Sequence, residues 1–336
     1  MSLEDQQFTK WLRRPTIFVA NAWYLMAAAG LNIVSFLVNL LAQLFAALSS
    51  GQIPQAAVGN AASAIYEVGV LALPLILYAA RHDGVDQSMR LNPPRLDVML
   101  WAALTAFVGV LAVNNISTWW MLLIEALGGR LYASGVPVPT NIDELTASII
   151  MVGVIPGVCE ELFFRGGVMG AWERRGTKQA LVISSVLFAA LHGSILGLPT
   201  QLIMGAVLGY VLIISDSLYV SMIYHTVHNT TALVLSYLSA AGGAEIAAES
   251  VNLAGQVASM GGWLLLLLQT VLSLLLFAGA LMMLTHAQNR HGMNPEKITD
   301  GDKTPMTWQE LLVLLAGLIT VGLTYVTDLL AICGVI

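Results

Sequence analysis

The chain of 336 residues is 57% hydrophobic, and only 10% of its residues are Asp, Glu, Lys or Arg. A typical soluble domain is about 25% charged, so this composition argues against an ordinary soluble enzyme. The net charge of −6 comes without a basic cluster, and we expect no nucleic-acid partner. The two cysteines, Cys159 and Cys333, lie in apolar stretches and predict neither a disulfide framework nor a zinc cluster.

Long stretches of the chain, such as 15–66 and 250–289, contain no charged residue. A membrane crossing takes roughly 20 apolar residues, and lipid tolerates no unsatisfied backbone groups. The sequence therefore predicts an all-α fold, a polytopic transmembrane helical bundle of about eight to nine spanning helices. Hydropathy and the positions of Gly and Pro predict spans near residues 16–47, 60–80, 97–124, 145–166, 179–194, 199–215, 217–239, 262–286 and 308–333.

The distribution of Lys and Arg predicts how the bundle is oriented. With nine spans and a cytoplasmic N-terminus, thirteen of the fourteen basic residues fall in cytoplasmic segments, and only Arg130 falls outside. We therefore expect the N-terminus in the cytoplasm and the C-terminus outside. The polar segment 1–14 has no short apolar run ending in a cleavage site, so we expect no removable signal peptide.

Few ionisable side chains fall within the predicted spans, and each is a functional candidate because a charge at membrane depth is costly. Most of them lie between residues 160 and 228, whereas the second, eighth and ninth spans contribute isolated groups. The set comprises Glu67, Glu160, Glu161, Arg165, His192, His225, His228, His286 and Asp328.

The first motif places two acids and a base on one helix. Glu161 and Arg165 are i, i+4 neighbours and can form an ion pair. Glu160 points about 100° away from Glu161, so it is free to face a cavity. Pro156 lies one turn before Glu160 and is expected to kink the helix. The alternative interpretation is a helix end at the membrane interface, where Glu and Arg pair for solubility.

The second motif is Phe188 followed one turn later by His192. Counted from the basic turn at 174–178, His192 lies as far along its helix as Glu160 lies along the preceding one. Two continuous antiparallel helices would therefore bring these side chains together at one depth, which favours a functional site. The alternative is a histidine that only hydrogen-bonds a neighbouring carbonyl.

The third motif, His225 and Asn229, has i, i+4 spacing, so both side chains share one helix face. His228 lies on an adjacent face and is expected to be structural. The alternative role for this pair is hydrogen bonding between membrane helices. Taken together, the three motifs form a hydrolytic constellation: an acid and one histidine can deprotonate a water, and the other histidine and the amide can stabilise an oxyanion.

These residues resemble the CAAX protease and bacteriocin-processing enzyme family of intramembrane glutamic endopeptidases, which includes the Ras-converting CAAX prenyl protease type 2. The family motifs E-E-x-x-x-R, F-x-x-x-H and H-x-x-x-N occur here in family order, and the resemblance covers about residues 145–240. It implies that Glu160 is the general base, that His192 helps it activate water, and that His225 and Asn229 form the oxyanion site. The supporting residues would be Glu161, Arg165 and Phe188.

The resemblance further implies a membrane-embedded peptidase that cleaves a membrane-associated peptide or protein. It divides the chain into N-terminal transmembrane helices (1–140), a catalytic CAAX-protease-like core (141–240) and C-terminal transmembrane helices (241–336). We expect a multi-pass protein of a bacterial or archaeal cell membrane, in contact with the lipid bilayer and using no cofactor or metal. A ninth span departs from the family's usual eight and leaves room for a regulatory membrane partner.

Several other interpretations of the same residues remain open. Cys159 beside Glu160 suggests a thiol protease, but a cysteine in an apolar helix is usually inert. A zinc site made of Glu160, His192 and His225 is stereochemically plausible. The non-enzyme alternatives are a transporter, which would be expected to have repeated halves that the chain lacks, and a non-catalytic scaffold, bacteriocin-immunity or regulatory protein of the same fold.

Overall fold

The computed structural model describes residues 15–49, 55–82, 89–132, 138–241, 252–259, 261–290 and 305–335. All regular structure within these ranges is helical. The first three helices are α1 (Ile17–Ser49), α2 (Gln55–Ala64, Ile65–Ala72 and Leu73–Arg81, which are continuous) and α3 (Leu96–Ala126). They are followed by α4 (Ile142–Arg175), α5 (Thr177–Leu191), α6 (Leu198–Ser215), α7 (Leu218–Ala241), α8 (Leu253–Ser259), α9 (Gly262–Asn289) and α10 (Trp308–Ile332).

Seven helices in the described ranges are long and apolar enough to cross a membrane: α1 to α4, α6, α9 and α10. The apolar helix α5 has 15 residues and reaches only about 22 Å at 1.5 Å per residue. Helix α7 carries the polar residues of the third motif and is not among the seven. Each predicted span coincides with a helix, so the expected all-α membrane bundle is confirmed and the chain is a multi-pass membrane protein.

Contacts at the two ends of the bundle show how consecutive helices alternate in direction. At one end, Arg90 binds Glu173 (Nη2 to Oε1, 2.7 Å) and Asp216 (Nε to Oδ1, 3.3 Å), joining the segments that precede α3, α5 and α7. At the other end, the Arg130 amide donates to the Ile332 carbonyl (2.8 Å), joining the segment after α3 to the end of α10. These two sets of contacts lie at opposite ends of the bundle, as expected if consecutive helices cross in alternate directions. Which end faces the cytoplasm stays a prediction.

Helix α4 is longer than the predicted span 145–166 because it contains two wide, π-helical stretches, Ile149–Val154 and Leu162–Met169. The first stretch directly precedes Pro156, and a similar stretch in α2, Ile65–Ala72, directly precedes Pro74. A proline lacks the N–H that closes the preceding turn, and its ring crowds that turn, so widening relieves both problems. The helix therefore continues past Gly166 and Gly167 instead of breaking there.

The core of the bundle lies where α4, α5, α6 and α7 meet. Helices α4 and α7 approach closely at Gly157, where an added Cβ would lie 2.4 Å from the Thr226 hydroxyl oxygen. Phe164 packs edge-to-face on Phe188 with ring centroids 5.1 Å apart, and both rings are buried. This close packing brings the three sequence motifs into one region of the bundle.

Candidate active site

Glu161 is the centre of a fully buried polar network. Its Oε1 accepts from His225 (Nδ1, 3.0 Å) and lies 3.2 Å from Arg165 Nη1, and its Oε2 accepts from the Ser221 hydroxyl (2.6 Å). The ion pair expected from the i, i+4 spacing is therefore present. Two hydrogen-bond donors and a guanidinium occupy this carboxylate, so it is poorly placed to act as a base.

Arg165 is held by more than its acidic partner. Its Nη2 donates to the Gly205 carbonyl (3.2 Å), and its guanidinium carbon lies 4.6 Å from the centre of the Phe188 ring. The side chain is fully buried, so it links α4, α5 and α6 from the inside of the bundle. Phe188 is thus the aromatic platform on which this cation rests.

His225 connects the two acids of the first motif. Because a carboxylate can only accept, the hydrogen bond to Glu161 fixes the hydrogen on Nδ1. The opposite ring nitrogen, Nε2, then faces Glu160 with 3.8 Å between it and Oε2. This distance is longer than a hydrogen bond. The sequence did not anticipate that His225 would lie between the two glutamates.

Glu160 is in a different environment from its neighbour. Its side chain keeps 13% exposure, and its Oε2 has no hydrogen-bond partner among the described residues. The two acids differ because they are adjacent on a helix and so face directions about 100° apart. Glu160 is therefore the carboxyl group that can accept a proton from a bound molecule.

His192 lies directly after the last residue of α5 and is exposed. Its Nδ1 donates to the Phe188 carbonyl (2.8 Å), which leaves Nε2 as an acceptor. Its ring contacts Phe188 (centroids 4.8 Å apart), and Phe188 contacts His225 (5.9 Å). No hydrogen bond or ion pair joins His192 to Glu160 in the described part of the chain, in contrast to the contact expected from equal depth.

The equal depth predicted for Glu160 and His192 requires regular α-helices on both sides of the turn at 174–178. The π-helical stretch 162–169 lies between Glu160 and that turn, and it puts more residues into each turn than an α-helix does. Glu160 and Glu161 therefore lie nearer the turn than a regular helix would place them. This is why Glu161 reaches His225, which is only seven residues after the start of α7.

The turn after His192 is fixed by the last helix, which the sequence motifs did not implicate. Asp328 accepts from the Ile195 amide (Oδ2, 2.6 Å), and the Tyr325 hydroxyl donates to the Ala189 carbonyl (3.1 Å). Gly193 has φ +61°, and an added Cβ would lie 2.5 Å from the Thr324 hydroxyl oxygen. The only sequence signal was that Asp328 is an isolated acid in an apolar span.

Asn229 shares its helix face with His225 as expected, but part of its amide is already used. Its Nδ2 donates to the Val152 carbonyl (3.0 Å). In a regular helix that carbonyl would accept from residue 156, which is a proline without an N–H, so Asn229 supplies a donor in its place. One amide hydrogen remains for another acceptor. His228 is buried on another face and stacks on Tyr224 (6.1 Å).

Glu67, which the sequence placed in an isolated position, belongs to the same region. The π-helical stretch of α2 that carries it packs against the segment Ile155–Glu161 of α4. Glu67 is 6% exposed, and its Oε2 has no hydrogen-bond partner among the described residues. No spacing along the chain could reveal this, because the two residues lie 93 positions apart.

The alternatives raised by cysteine and metal chemistry can be compared with this geometry. Cys159 is buried beside Glu160 and makes no hydrogen bond to a histidine in the described residues. Within the same residues, no three His, Cys, Asp or Glu side chains converge on a point where they could hold a metal ion. The Glu160 carboxylate has the His225 imidazole 3.8 Å away, and Phe188 contacts the rings of both His225 and His192.

The chain matches the family model described as type II CAAX prenyl endopeptidase Rce1-like over residues 142–231. This range corresponds to α4 through α7 and contains all three motifs. No curated protein and no solved structure matches the chain. Members of this family are CAAX-protease-type membrane endopeptidases. The segment 142–231 is therefore similar to the Rce1-like, type II CAAX prenyl endopeptidase family.

Proposed function

We propose that this protein is a glutamate-dependent intramembrane endopeptidase that hydrolyses a peptide bond of a membrane-associated peptide or protein. The observation that supports this best is the unequal state of two adjacent acids. Glu161 is ion-paired with Arg165 and accepts from His225 and Ser221, while Oε2 of Glu160 is buried without a hydrogen-bond partner and lies 3.8 Å from His225 Nε2. A carboxylate left free inside a membrane protein is costly unless it serves a function.

In the proposed reaction, the Glu160 carboxylate takes a proton from a water molecule whose oxygen attacks the peptide carbonyl carbon. Nε2 of His192, left as an acceptor by the Nδ1 hydrogen bond, orients the second hydrogen of this water. Negative charge moves onto the carbonyl oxygen, and the remaining amide hydrogen of Asn229 is donated to it. His225 can add a second donor from Nε2 only when both of its ring nitrogens carry hydrogen, because the hydrogen on Nδ1 is donated to Glu161. The C–N bond then breaks as the amine nitrogen receives the proton held by Glu160.

The Glu161 network prepares this chemistry without taking part in it. By accepting from His225 Nδ1, Glu161 fixes the ring orientation that directs Nε2 toward Glu160. Arg165 forms its ion pair with Glu161 at 3.2 Å, so the charge of Glu161 is compensated inside the bundle. We assign Glu161, Arg165 and Phe188 as positioning residues on these grounds.

The family suggests the substrate class to be tested first, which is a peptide with a prenylated C-terminal cysteine motif. Protein reconstituted in lipid vesicles would be given an internally quenched farnesylated peptide, and, in parallel, peptides released from membranes would be compared by mass spectrometry. We expect Glu160→Gln to abolish cleavage, while Asp143→Asn, an exposed acid in the first turn of the same helix, keeps it. Full cleavage by Glu160→Gln would overturn the proposal.

The second candidate function is a non-catalytic scaffold or regulatory membrane protein of the same fold. It is favoured by the exposure of His192 and by the absence of a direct contact to Glu160 in the described residues. The same experiment separates the two, because a scaffold keeps its cellular phenotype when Glu160 is replaced by Gln and a peptidase loses it.

A further inference from the structure

The segment between α5 and α6, residues 192–197, carries His192 at its first position. The carbonyl groups in the last turn of a helix have no partner within the helix, so helix ends fray unless other groups bind them. Here the Phe188 carbonyl accepts from the His192 ring itself (Nδ1, 2.8 Å). Because the ring stands on the end of α5, the position of its Nε2 depends on what else holds this segment.

Two helices hold the backbone of Ile195, three residues after His192. The Ile195 N–H donates to Oδ2 of Asp328 on α10 (2.6 Å), and the Ile195 carbonyl accepts from the indole N–H of Trp120 on α3 (2.8 Å). The Tyr132 hydroxyl donates to Oδ1 of the same aspartate. Both polar backbone groups of one residue and both oxygens of one carboxylate are thus occupied, and the three side chains all lie outside the segment that matches the family.

Helix α10 also contacts the end of α5 directly. The Tyr325 hydroxyl donates to the Ala189 carbonyl (3.1 Å), which lies in the last turn of α5. At Gly193 an added Cβ would lie 2.5 Å from the Thr324 hydroxyl oxygen. These two residues of α10 lie one turn before Asp328, so a single stretch of this helix covers the end of α5 and the segment after it. An acid on an apolar spanning helix is costly, which makes Asp328 a functional candidate.

We propose that Asp328 is a positioning residue for the active site, which holds His192 in place through the backbone of Ile195, with Trp120 as the second support. This inference rests on the proposed function. Asp328 contacts no reacting group, so it acts only by fixing where Nε2 of His192 meets the attacking water. Misplacing a catalytic group by about 1 Å can lower turnover about 10²-fold. Substrate binding does not use this water, so KM should be preserved.

The first test compares kcat and KM of wild type, Asp328→Ala and Asp328→Asn in vesicles with the internally quenched farnesylated peptide. We expect Asp328→Ala to lower kcat about 10–10²-fold with KM within about twofold of wild type. Asp328→Asn keeps one acceptor oxygen and should recover part of this loss. The matched control is Thr327→Val at the neighbouring position, because the Thr327 hydroxyl bonds only within its own helix (Thr324 carbonyl, 2.7 Å). It should keep wild-type turnover.

The second test needs no substrate and measures amide hydrogen exchange along the chain. Gly193 and Gly197 donate their amide hydrogens to the Ala190 carbonyl (3.0 Å) and the Ser194 hydroxyl (3.1 Å), not to Asp328. Faster exchange at these two glycines in Asp328→Ala therefore reports movement of the whole segment, and exchange in α4 should stay at the wild-type rate. Trp120→Phe removes the indole donor but keeps an aromatic ring, and we expect the same local effect and a lower kcat.

A double-mutant comparison separates positioning from a general loss of structure. In a His192→Ala background there is no imidazole left to place, so adding Asp328→Asn should change kcat little. The inference would be overturned by wild-type kcat in Asp328→Ala, by an equal fold loss in the His192→Ala background, or by faster exchange throughout the bundle. Where Asp328→Ala does not fold, Asp328→Asn and Trp120→Phe decide by the same criteria. Failure of the proposed function is distinguishable, because it requires that Glu160→Gln remains active.

Discussion

Replacing Glu161 by Gln provides a test that separates stability from catalysis. The variant leaves Arg165 buried without its counter-ion, and a single amide oxygen must replace two carboxylate oxygens that accept from Ser221 and His225. Removing one partner of a buried ion pair typically costs about 3–5 kcal/mol. Glu160→Gln removes no hydrogen bond of Oε2, so its free energy of unfolding should stay within about 1 kcal/mol of wild type.

Both variants would be unfolded at equilibrium in mixed micelles and assayed for peptide cleavage. We expect Glu161→Gln to lose stability by about 3–5 kcal/mol and Glu160→Gln to lose activity while remaining folded. A double variant, Glu161→Gln with Arg165→Met, should recover part of the stability, because it removes the uncompensated charge. A stable Glu161→Gln protein, or a double variant less stable than the single one, would refute the account of the buried network.

Four further outcomes follow from the structure. Asn229→Ala removes an oxyanion donor and should lower turnover 10²–10³-fold. It also removes a hydrogen bond between helices and should lower the free energy of unfolding by about 1 kcal/mol. His228→Ala should change turnover much less. Asp328→Asn weakens the contact that fixes the turn after His192 and should therefore lower turnover. Substrate affinity is measured in parallel as the control. Cleavage should survive both chelation and Cys159→Ala; loss on chelation with rescue by zinc would contradict this. A reporter active only outside the cytoplasm should work at the C-terminus and fail within 290–307.

The helical architecture could be predicted from the sequence because lipid imposes simple rules on it. A span must be long, apolar and closed in its own hydrogen bonds, so hydropathy alone places a helix at each of the nine predicted positions. The length of α4 could not be predicted in the same way. The residues Gly166 and Gly167 are compatible with either a break or a wide turn, and only packing decides between them.

The composition of the site could be predicted more readily than its pairings. The i, i+4 spacing places Arg165 beside Glu161, and the structure has that ion pair. The pairing of Glu160 with His192 was inferred from residue counts, which hold only for regular helices. Ser221 carries no charge and is common in membrane helices, so its bond to Glu161 could not be recognised without the neighbouring helix.

The proposed site also depends on helices outside the segment that carries its motifs. Glu67 comes from α2 in the predicted N-terminal segment, and Asp328 comes from α10 in the C-terminal one. Helix α10 packs along α1, and α9 packs along α3, so helices of the predicted C-terminal segment pack on helices of the predicted N-terminal segment. A fragment limited to 141–240 would contain every motif, yet it would lack the aspartate that fixes the turn after His192 and the helix that packs on Ile155–Glu161. The proposed activity should therefore be lost in that fragment, even though the fragment contains the whole of the matched segment.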